Sequence, residues 1–376
     1  MRKLILGAVA LTITAGPARA QEDASALAAL KPVYRSIGAF HTPAEFASVA
    51  RALAAQKLET VPTWTHGFSI RKTSYSYTLV GARPGGGQET VIPTIIVPIR
   101  LTISDYLVHG KPLVLDATGI DADVEGSPIF YPSFYISGVR QFSDAMLHAE
   151  FPDAPRAWST VLSPSIAPTL DIVVPKGAAK VLRAKSGRLV ALIDDDSIID
   201  KPIAKWTRDY SAPESIAIFN TYNALEHDAF GYHSFLNAGQ KSQALLYIYN
   251  SWFEDLGDVV GFPSPSATTL SHEIAETIHD PLGTSVTRLW GDAFRKNTCF
   301  QHYIEVGDAI EDAAPKLQFY DQWGSVGGKP KLFVLQSEAL LPWFERQTPS
   351  HAQDGAYSFP GNQALTRAAP LDCVKR

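Results

Sequence analysis

Hydrophobic and polar residues alternate with a period of two through much of the first half of the chain. Tyr75, Tyr77 and Leu79 are separated by polar residues, and a glycine-rich turn then leads into the apolar run 91–103. This alternation is typical of strands that have one buried face. Three further apolar runs predict more strands, at 113–115, 170–174 and 189–193. The pattern therefore predicts a β-rich part over residues 21–210.

Helix-forming signals interrupt this pattern. Residues 42–45, with the sequence TPAE, form a capping box with proline at the first helical position, which predicts a helix to about Gln56. Residues 268–280 form a second helical segment. Pro281 ends it, because proline lacks the backbone N–H and its ring clashes with the preceding turn.

The segment 268–280 has two unlike faces. Successive helical residues turn by about 100°, so positions three or four apart share a side. One side is apolar and carries Leu270, Ile274 and Ile278. The opposite side is polar and carries His272, Glu276 and His279. We therefore expect the apolar side to be buried and the polar side to face a cleft.

The polar side has the spacing of a metal-binding helix. His272 and Glu276 are four residues apart, so an imidazole and a carboxylate can bind one cation. Glu273 lies beside them, where it can accept a proton from water as a general base. This is the H-E-x-x-H arrangement of zinc peptidases with glutamate in place of the second histidine. His279 is interpreted as a helix-end residue that the helix dipole favours, not as a ligand.

The chain around this helix resembles two groups of proteins. Residues 271–281 read SHEIAETIHDP, and EVGD follows about 25 residues later at 305–308. This pattern is similar to that of a group of secreted bacterial metalloprotease-like proteins, and the resemblance spans residues 90–310. It is also similar to the EXORDIUM-like (phosphate-induced) proteins of plants, over residues 230–310. In these relatives a G-x-H step precedes the helix by some forty residues, and residues 231–233 match it here.

A catalytic zinc takes about three protein ligands and keeps one position open. A downstream glutamate completes the site in many H-E-x-x-H peptidases, so Glu305 is the first choice for the third ligand. Four other residues stay open as ligands or as groups that orient the ligands, namely His233, Asp280, His302 and Asp308. Zinc is the expected ion. A carboxylate in place of an imidazole makes the donor set harder, so another divalent cation is the alternative.

These features together predict an α+β fold with a β-rich N-terminal half and a zincin-like half, residues 211–376. In the second half an active-site helix packs beside a sheet, and the strand predicted at 244–249 holds the backbone of the substrate. No long linker or repeat separates the two halves. Residues 21–376 are therefore expected to form one continuous globular unit.

The expected function is metal-dependent hydrolysis of a peptide or protein by a secreted, zinc metalloprotease-like enzyme. Glu273 is the expected base, and Tyr232, His233 and Tyr303 are the candidates for stabilising the oxyanion. The alternative is a non-catalytic secreted or cell-surface binding protein, in which the same helix holds a structural or vestigial metal, or a hydrogen-bonded His/Glu cluster. The plant resemblance favours this alternative, because those proteins are linked to extracellular growth signalling. The presence of Glu273 distinguishes the two functions, because a purely structural site does not need a general base beside its ligands.

The first 20 residues have the pattern of a secretory signal peptide. A positive start is followed by a short apolar run at 4–14 and an A-x-A cleavage site at 18–20. The apolar run is shorter than the ~20 residues that a membrane span needs. Cleavage there changes the formal charge from −5 to −8, because it removes Arg2, Lys3 and Arg19. An acidic surface gives no electrostatic reason to expect binding to nucleic acid.

Two cysteines, Cys299 and Cys373, are present. In the oxidising compartment that a signal peptide implies, they are expected to form a disulfide that ties the C-terminal tail to the segment after the helix. The other interpretation is a catalytic thiol at Cys299 with His302 three residues on, which the pairing would exclude.

Overall fold

The structure is a computed structural model that describes residues 34–37, 40–226, 229–237, 242–253, 267–291, 293–294, 301–361 and 363–370. Within these ranges the chain is a strand-rich mixture of helices and strands, so the predicted α+β class is confirmed. The predicted signal peptide and both cysteines lie outside the described residues. No helix among the described residues is long and apolar enough to cross a membrane.

The described part contains seven α-helices, three short 3-10 turns and 21 strands. The helices are α1 (Pro43–Ala54), α2 (Asp121–Gly126), α3 (Phe142–Glu150), α4 (Ser197–Tyr210), α5 (Ala267–His279), α6 (Pro315–Gln318) and α7 (Leu341–Phe344). The 3-10 turns are Ala117–Ile120, Asp308–Ile310 and Gln353–Gly355. The strands are β1 (Tyr34–Arg35), β2 (Thr63–Ile70), β3 (Thr73–Val80), β4 (Glu89–Val108), β5 (Lys111–Asp116), β6 (Ser133–Tyr135), β7 (Gly138–Arg140), β8 (Ser159–Ile166), β9 (Leu170–Val174), β10 (Ala179–Arg183), β11 (Leu189–Ile193), β12 (Ile216–Tyr222), β13 (Ala224–Glu226), β14 (Gly231–Asn237), β15 (Ala244–Trp252), β16 (Val286–Trp290), β17 (Gln301–Tyr303), β18 (Phe319–Val326), β19 (Lys329–Gln336), β20 (Glu338–Ala339) and β21 (Ser358–Phe359).

The largest sheet joins strands from both halves of the chain. Its order is β1-β14-β15-β12-β4-β5, and β8 and β9 also pair with the long strand β4. β14 runs antiparallel to β15, whereas β15, β12 and β4 run parallel to one another. A second sheet, in the order β17-β16-β3-β2, also combines the two halves. Pairing of this kind ties the region of the metal-binding motif to the N-terminal strands.

Two local predictions from the sequence are confirmed. Thr42 and Glu45 form the reciprocal capping box, because the Thr42 N–H donates to Glu45 Oε2 at 2.7 Å and the Glu45 N–H donates to Thr42 Oγ1 at 3.3 Å. The helix that they begin ends at Ala54, two residues before the predicted position. The apolar run 91–103 lies within β4, which continues to Val108 before the chain turns back into β5.

The prediction for the substrate-binding strand is wrong in its choice of strand. Residues 244–249 lie in β15, which is hydrogen-bonded on both sides, to β14 and to β12. An interior strand has no free N–H or C=O groups with which to bind a peptide backbone. The strand nearer the edge is β14, and the short strand β1 pairs with its outer side.

Helix α5 is buried on every side, which differs from the expectation of one open polar face. All 13 of its residues are buried. Leu270, Ile274 and Ile278 belong to the main hydrophobic core, as predicted. The polar side is covered by β14 and β19 instead of opening into a cleft, since α5 packs against both strands as well as β15 and β3. A helix enclosed in this way must satisfy its polar side chains within the protein.

The approach of β14 to α5 depends on Gly231. A Cβ atom at this position would lie 2.7 Å from Glu273 Oε1 and 2.7 Å from Thr269 Cγ2. Distances this short are steric clashes, so any side chain would push the strand away from the helix. The first residue of the G-x-H step is therefore glycine for a packing reason: it allows His233, two residues later, to lie close to the helix.

We expect Gly231→Ala to lower the free energy of unfolding by about 1–3 kcal/mol, the usual cost of overpacking a core. Urea denaturation followed by circular dichroism would measure it. Gly119→Ala is the matched control, because Gly119 has no atom within 4 Å of an added Cβ. Equal effects of the two substitutions would contradict the packing role of Gly231.

Candidate metal centre

Seven ionisable side chains converge on the polar side of α5. The helix supplies His272, Glu273 and Glu276, and Asp280 follows its last residue. β14 supplies His233, and the segment after β17 supplies Glu305 and Asp308. None of the seven residues is more than 5% exposed. The structure thus brings these seven candidates of the sequence analysis together in the interior of the protein, whereas the candidate His302 is exposed and lies against the Tyr303 ring.

One set of potential ligands consists of His272, Glu276 and Asp308, whose donor atoms all lie within 4.8 Å of one another. His272 Nε2 is 3.2 Å from Glu276 Oε2 and 3.7 Å from Asp308 Oδ1. Gln301 donates a hydrogen bond to the other carboxylate oxygen of Asp308, which leaves Oδ1 directed at the imidazole. One imidazole and two carboxylates are a suitable ligand set for a divalent cation.

A second set consists of His233, Glu273 and Glu276, again with donor atoms within 4.8 Å of one another. His233 Nδ1 is 3.5 Å from both Glu273 Oε2 and Glu276 Oε2. The other ring nitrogen of His233 is 3.7 Å from Glu305 Oε2. Glu305 therefore lies beside His233 and belongs to neither set, whereas Asp308 is grouped with His272.

Glu276 is common to both sets, and the backbone fixes its orientation. The N–H groups of Gly307 and Asp308 both donate to Glu276 Oε1, at 3.1 and 3.2 Å. Oε2 is therefore the oxygen that faces His272 and His233. Gly307 is also in tight contact with the site, because a Cβ there would lie 2.3 Å from His272 Nδ1. Hydrogen bonds thus hold the EVGD segment against the helix, and the lack of a side chain at Gly307 allows it to come this close.

The residues present fit a bound cation by the criterion of unsatisfied polar atoms. Buried nitrogen and oxygen atoms normally have hydrogen-bond partners. Several atoms here have none among the described residues, namely both ring nitrogens of His233, His272 Nε2, both carboxylate oxygens of Glu273, Asp280 Oδ2, Glu305 Oε2 and Asp308 Oδ1. No lysine or arginine in the described ranges forms an ion pair with these carboxylates. A divalent cation would supply the missing positive charge.

Electrostatics distinguishes Glu276 from the other acids. Burial works against its charged form, but the adjacent His272 and His233 outweigh burial and lower the pKa of Glu276 well below its ordinary value. Burial instead raises the pKa of Glu273 to about 7 and that of Glu305 to about 8. Burial lowers the pKa of His272, but Glu276 outweighs this effect and raises it to about 10. The carboxylates that favour an imidazolium would equally favour a metal cation between them.

Gln336, at the end of β19, is a site residue that the sequence did not reveal. Its Nε2 atom lies 2.9 Å from His272 Nδ1 and donates to the Gly307 carbonyl oxygen at 3.0 Å. An amide nitrogen can only donate, so in this orientation Nδ1 accepts and the ring is the neutral form with its proton on Nε2, whereas the protonated ring that Glu276 favours needs the amide oxygen on this side. Metal binding through Nε2 requires the amide of Gln336 to turn so that its oxygen accepts from Nδ1–H. No spacing pattern links Gln336 to the helix, so it could not be predicted.

The remaining candidates have structural roles. Asp280 Oδ1 accepts from the N–H groups of Thr284 and Ser285, at 2.8 and 2.9 Å, and so holds the turn after α5. His279 Nε2 lies 2.9 Å from Glu150 Oε2, and its Nδ1 lies 2.6 Å from the Ala275 carbonyl oxygen. His279 is therefore tied to α3 and to its own helix, in agreement with its interpretation as a helix-end residue.

Comparison of the chain with models of protein families, with curated proteins and with solved structures found no match. The resemblance of the SHEIAE and EVGD segments to bacterial and plant proteins stays a prediction. The interpretation of the site therefore rests on the geometry and electrostatics described above.

The Glu150–His279 pair predicts a pH-dependent contribution to stability. Burial lowers the pKa of His279, but Glu150, with smaller contributions from the Ala275 carbonyl and Glu276, raises it above its ordinary value. A raised folded-state pKa gives stability that is complete below the unfolded value of about 6.5 and is lost as the pH rises through the folded value. We expect Glu150→Gln to lower the unfolding free energy by about 1.5–3 kcal/mol near pH 6 and by less near pH 9.

Urea denaturation at the two pH values, with a chelator in every sample, measures this difference. Glu214→Gln is the control, because Glu214 is exposed and the same chemical change there is expected to have little effect. A loss of stability in Glu150→Gln that is the same at both pH values would contradict the role of the charged pair.

Proposed function

We propose that the chain is a secreted metal-dependent hydrolase of the zinc metalloprotease-like type, with the H-E-x-x-E helix at its centre. One observation carries the proposal: His272, Glu276 and Asp308 converge within 4.8 Å, buried and partly without hydrogen-bond partners, beside Glu273. The packing of α5 against a mixed sheet supports a zincin-like half. The sequence pattern of residues 1–20 supports secretion.

His272, Glu276 and Asp308 are the proposed ligands of zinc or another divalent cation. With one imidazole and two carboxylates, the ligand set is harder than that of a histidine-rich zinc site, which widens the choice of ion. When bound, such a cation supplies Lewis acidity toward a carbonyl group and lowers the pKa of water. The chain supplies the position, because the backbone N–H groups at 307 and 308 fix Glu276 and Gln301 fixes Asp308.

Glu273 is the proposed general base. It follows His272 directly on α5, and its carboxylate oxygens have no hydrogen-bond partner among the described residues. A base works best when its pKa is close to the working pH, and burial raises the pKa of Glu273 to about 7. Glu273 accepts a proton from the attacking water and later returns it to the leaving amine of a peptide.

His233 is the proposed donor to the oxyanion. Burial alone would lower its pKa, but Glu305, Glu273 and Glu276 outweigh burial and raise it well above the ordinary value. In its protonated form His233 can donate to an oxygen that becomes negative during acyl transfer. Glu305, at 3.7 Å from its second nitrogen, keeps the ring oriented.

The second candidate function is a non-catalytic binding protein whose His/Glu cluster is structural. Two observations favour it. The side chains of the centre are buried, which limits access for a substrate. The Gln336 amide nitrogen faces His272 Nδ1, an orientation in which a neutral ring carries its proton on Nε2, 3.2 Å from Glu276 Oε2. In this function the cluster is held together by hydrogen bonds and needs no general base.

Replacing Glu273 tests the proposed function directly. We expect Glu273→Gln to retain the bound metal and to lose about 10²- to 10⁴-fold in hydrolytic rate, because only the proton acceptor is removed. His272→Ala is expected to lose both metal and activity. Elemental analysis of the purified mature protein, with a casein or peptide-library assay, measures the two properties separately.

Glu338→Gln is the matched control. Glu338 is buried near Glu273 and Glu276 but belongs to neither ligand set, and burial raises its pKa well above the ordinary value. It is expected to keep both metal and activity. Wild-type protein purified without metal and unable to bind it would overturn the hydrolase. Bound metal without turnover of any peptide would favour the binding protein.

A further inference from the structure

The N-terminal strand β1 occupies the edge of the sheet beside the metal centre. Tyr34 and Arg35 pair in parallel with Gly231 and Tyr232 of β14. The next residue of β14 is His233, which faces Glu273 and Glu276. The other side of β14 is paired with β15, so β1 covers the first two residues of the outer edge of this strand. An uncovered edge is a place where an extended peptide can add as a further strand.

Tyr34 lies directly against a proposed metal ligand. Its ring stacks on the His272 imidazole, with the ring centroids 3.6 Å apart and the planes 18° from parallel. Tyr34 is only 8% exposed, so it fills the space over the imidazole. Stacked aromatic pairs contribute about 0.5–1.5 kcal/mol beyond the area that they bury. The side chain therefore both anchors the segment and closes the centre.

The two residues that follow β1 donate hydrogen bonds to Glu305, which lies in the metal centre. Ser36 Oγ donates to Glu305 Oε1 at 2.9 Å, and the Ile37 N–H donates to the same oxygen at 3.2 Å. The other oxygen of Glu305 faces His233. A hydroxyl group and a backbone N–H thus satisfy half of a carboxylate that belongs to the centre. An extended peptide could supply both of these groups.

The segment also has contacts on the side away from the ligands. Arg35 forms an ion pair with Asp196 at 2.8 Å and approaches Glu226 at 3.7 Å. Further along, His41 lies 3.1 Å from Ser234 Oγ on β14 and stacks on Phe235 with ring centroids 4.0 Å apart. The part over the centre is held by two paired residues, one stacked ring and the two hydrogen bonds to Glu305, which together form a small interface.

We propose that the edge of β14 beside His233 and His272 is a peptide-binding groove, and that residues 34–37 of the chain occupy it as an internal substitute for the peptide. The groove accepts an extended peptide with an aromatic side chain over His272 and a hydroxyl-bearing residue two positions later. As a substrate groove it rests on the hydrolase function proposed above, but its capacity to bind a peptide does not depend on turnover.

The internal segment competes with any added peptide because it is covalently tethered. A tethered segment acts at an effective concentration of about millimolar, so a free peptide binds only to the fraction of molecules in which the groove is open. Substitutions that weaken the internal segment therefore strengthen binding of an added peptide. A strand with only a structural role would show no such exchange.

Peptide binding to the full mature chain tests the groove. The probe is a fluorescent peptide with the sequence of residues 31–38, KPVYRSIG, and the matched peptide carries alanine in place of its tyrosine. A Glu273→Gln background prevents cleavage during the measurement. We expect Tyr34→Ala to bind the tyrosine peptide about tenfold more tightly than the parent does, and to bind the alanine peptide more weakly than the tyrosine peptide.

Two further variants keep the test decisive. Arg35→Gln releases the segment on the side away from the ligands and is expected to raise peptide affinity in the same direction. Tyr75→Ala removes an aromatic ring that stacks on Phe68 in another sheet and is expected to leave peptide affinity unchanged. Near-ultraviolet circular dichroism checks that the variants are folded. Unchanged affinity in both Tyr34→Ala and Arg35→Gln, or equal binding of the two peptides, would overturn the groove.

The outcomes also separate the groove from the proposed function. Peptide affinity that rises in both variants while the parent with Glu273 intact shows no hydrolysis would support the groove and reject the hydrolase. The opposite result is that the protein with Glu273 intact hydrolyses peptides, but neither Tyr34→Ala nor Arg35→Gln increases hydrolysis or peptide binding. That result would support the hydrolase and reject the groove.

Discussion

The structure depends on the compensation of ionisable groups that are buried around helix α5. An isolated charge in a protein interior is costly, so each buried carboxylate must be protonated, paired or bound to a cation. Glu276 is the central group: one oxygen accepts from two backbone N–H groups, and the other faces His272 and His233. The remaining parts of the centre must come close enough to donate hydrogen bonds to the Glu276 carboxylate or to place positive charge beside it.

Glycine occupies the positions at which β14 and the EVGD segment approach helix α5 closely. Gly231 lets β14 lie against Glu273, and Gly307 lets the EVGD segment lie against the His272 ring. The close approach of the EVGD segment puts backbone N–H groups within hydrogen-bond distance of a buried carboxylate. In a region of low polarity these hydrogen bonds are stronger than in water, and an unpaired group is more costly. The two glycines and the charged cluster are therefore parts of one arrangement.

The sequence predicts the local features of the site but not its enclosure. Spacing on one helix places His272, Glu273 and Glu276 together, because helical geometry is fixed by the backbone. It does not show that the polar side is buried, since solvated, cleft-facing and buried polar faces have the same spacing. Strand order is likewise not encoded in alternation, so the sequence predicts residues 244–249 of β15 as the substrate strand although β14 lies nearer the edge. Tyr34 and Gln336 reach His272 from distant parts of the sequence, and no periodic pattern marks such contacts.

The two candidate functions differ in whether Nε2 of His272 carries a proton or binds a metal ion. With the Gln336 amide nitrogen toward Nδ1 of His272, a neutral ring carries its proton on Nε2, 3.2 Å from Glu276 Oε2, and the cluster needs no metal. With the amide oxygen toward Nδ1, the lone pair of Nε2 is free to bind a cation, and the same carboxylates stabilise it. Protons and metal therefore compete for a single position, so metal binding releases protons and strengthens as the pH rises. The surrounding carboxylates are needed in either case, which explains how one buried arrangement can support a catalytic or a structural centre.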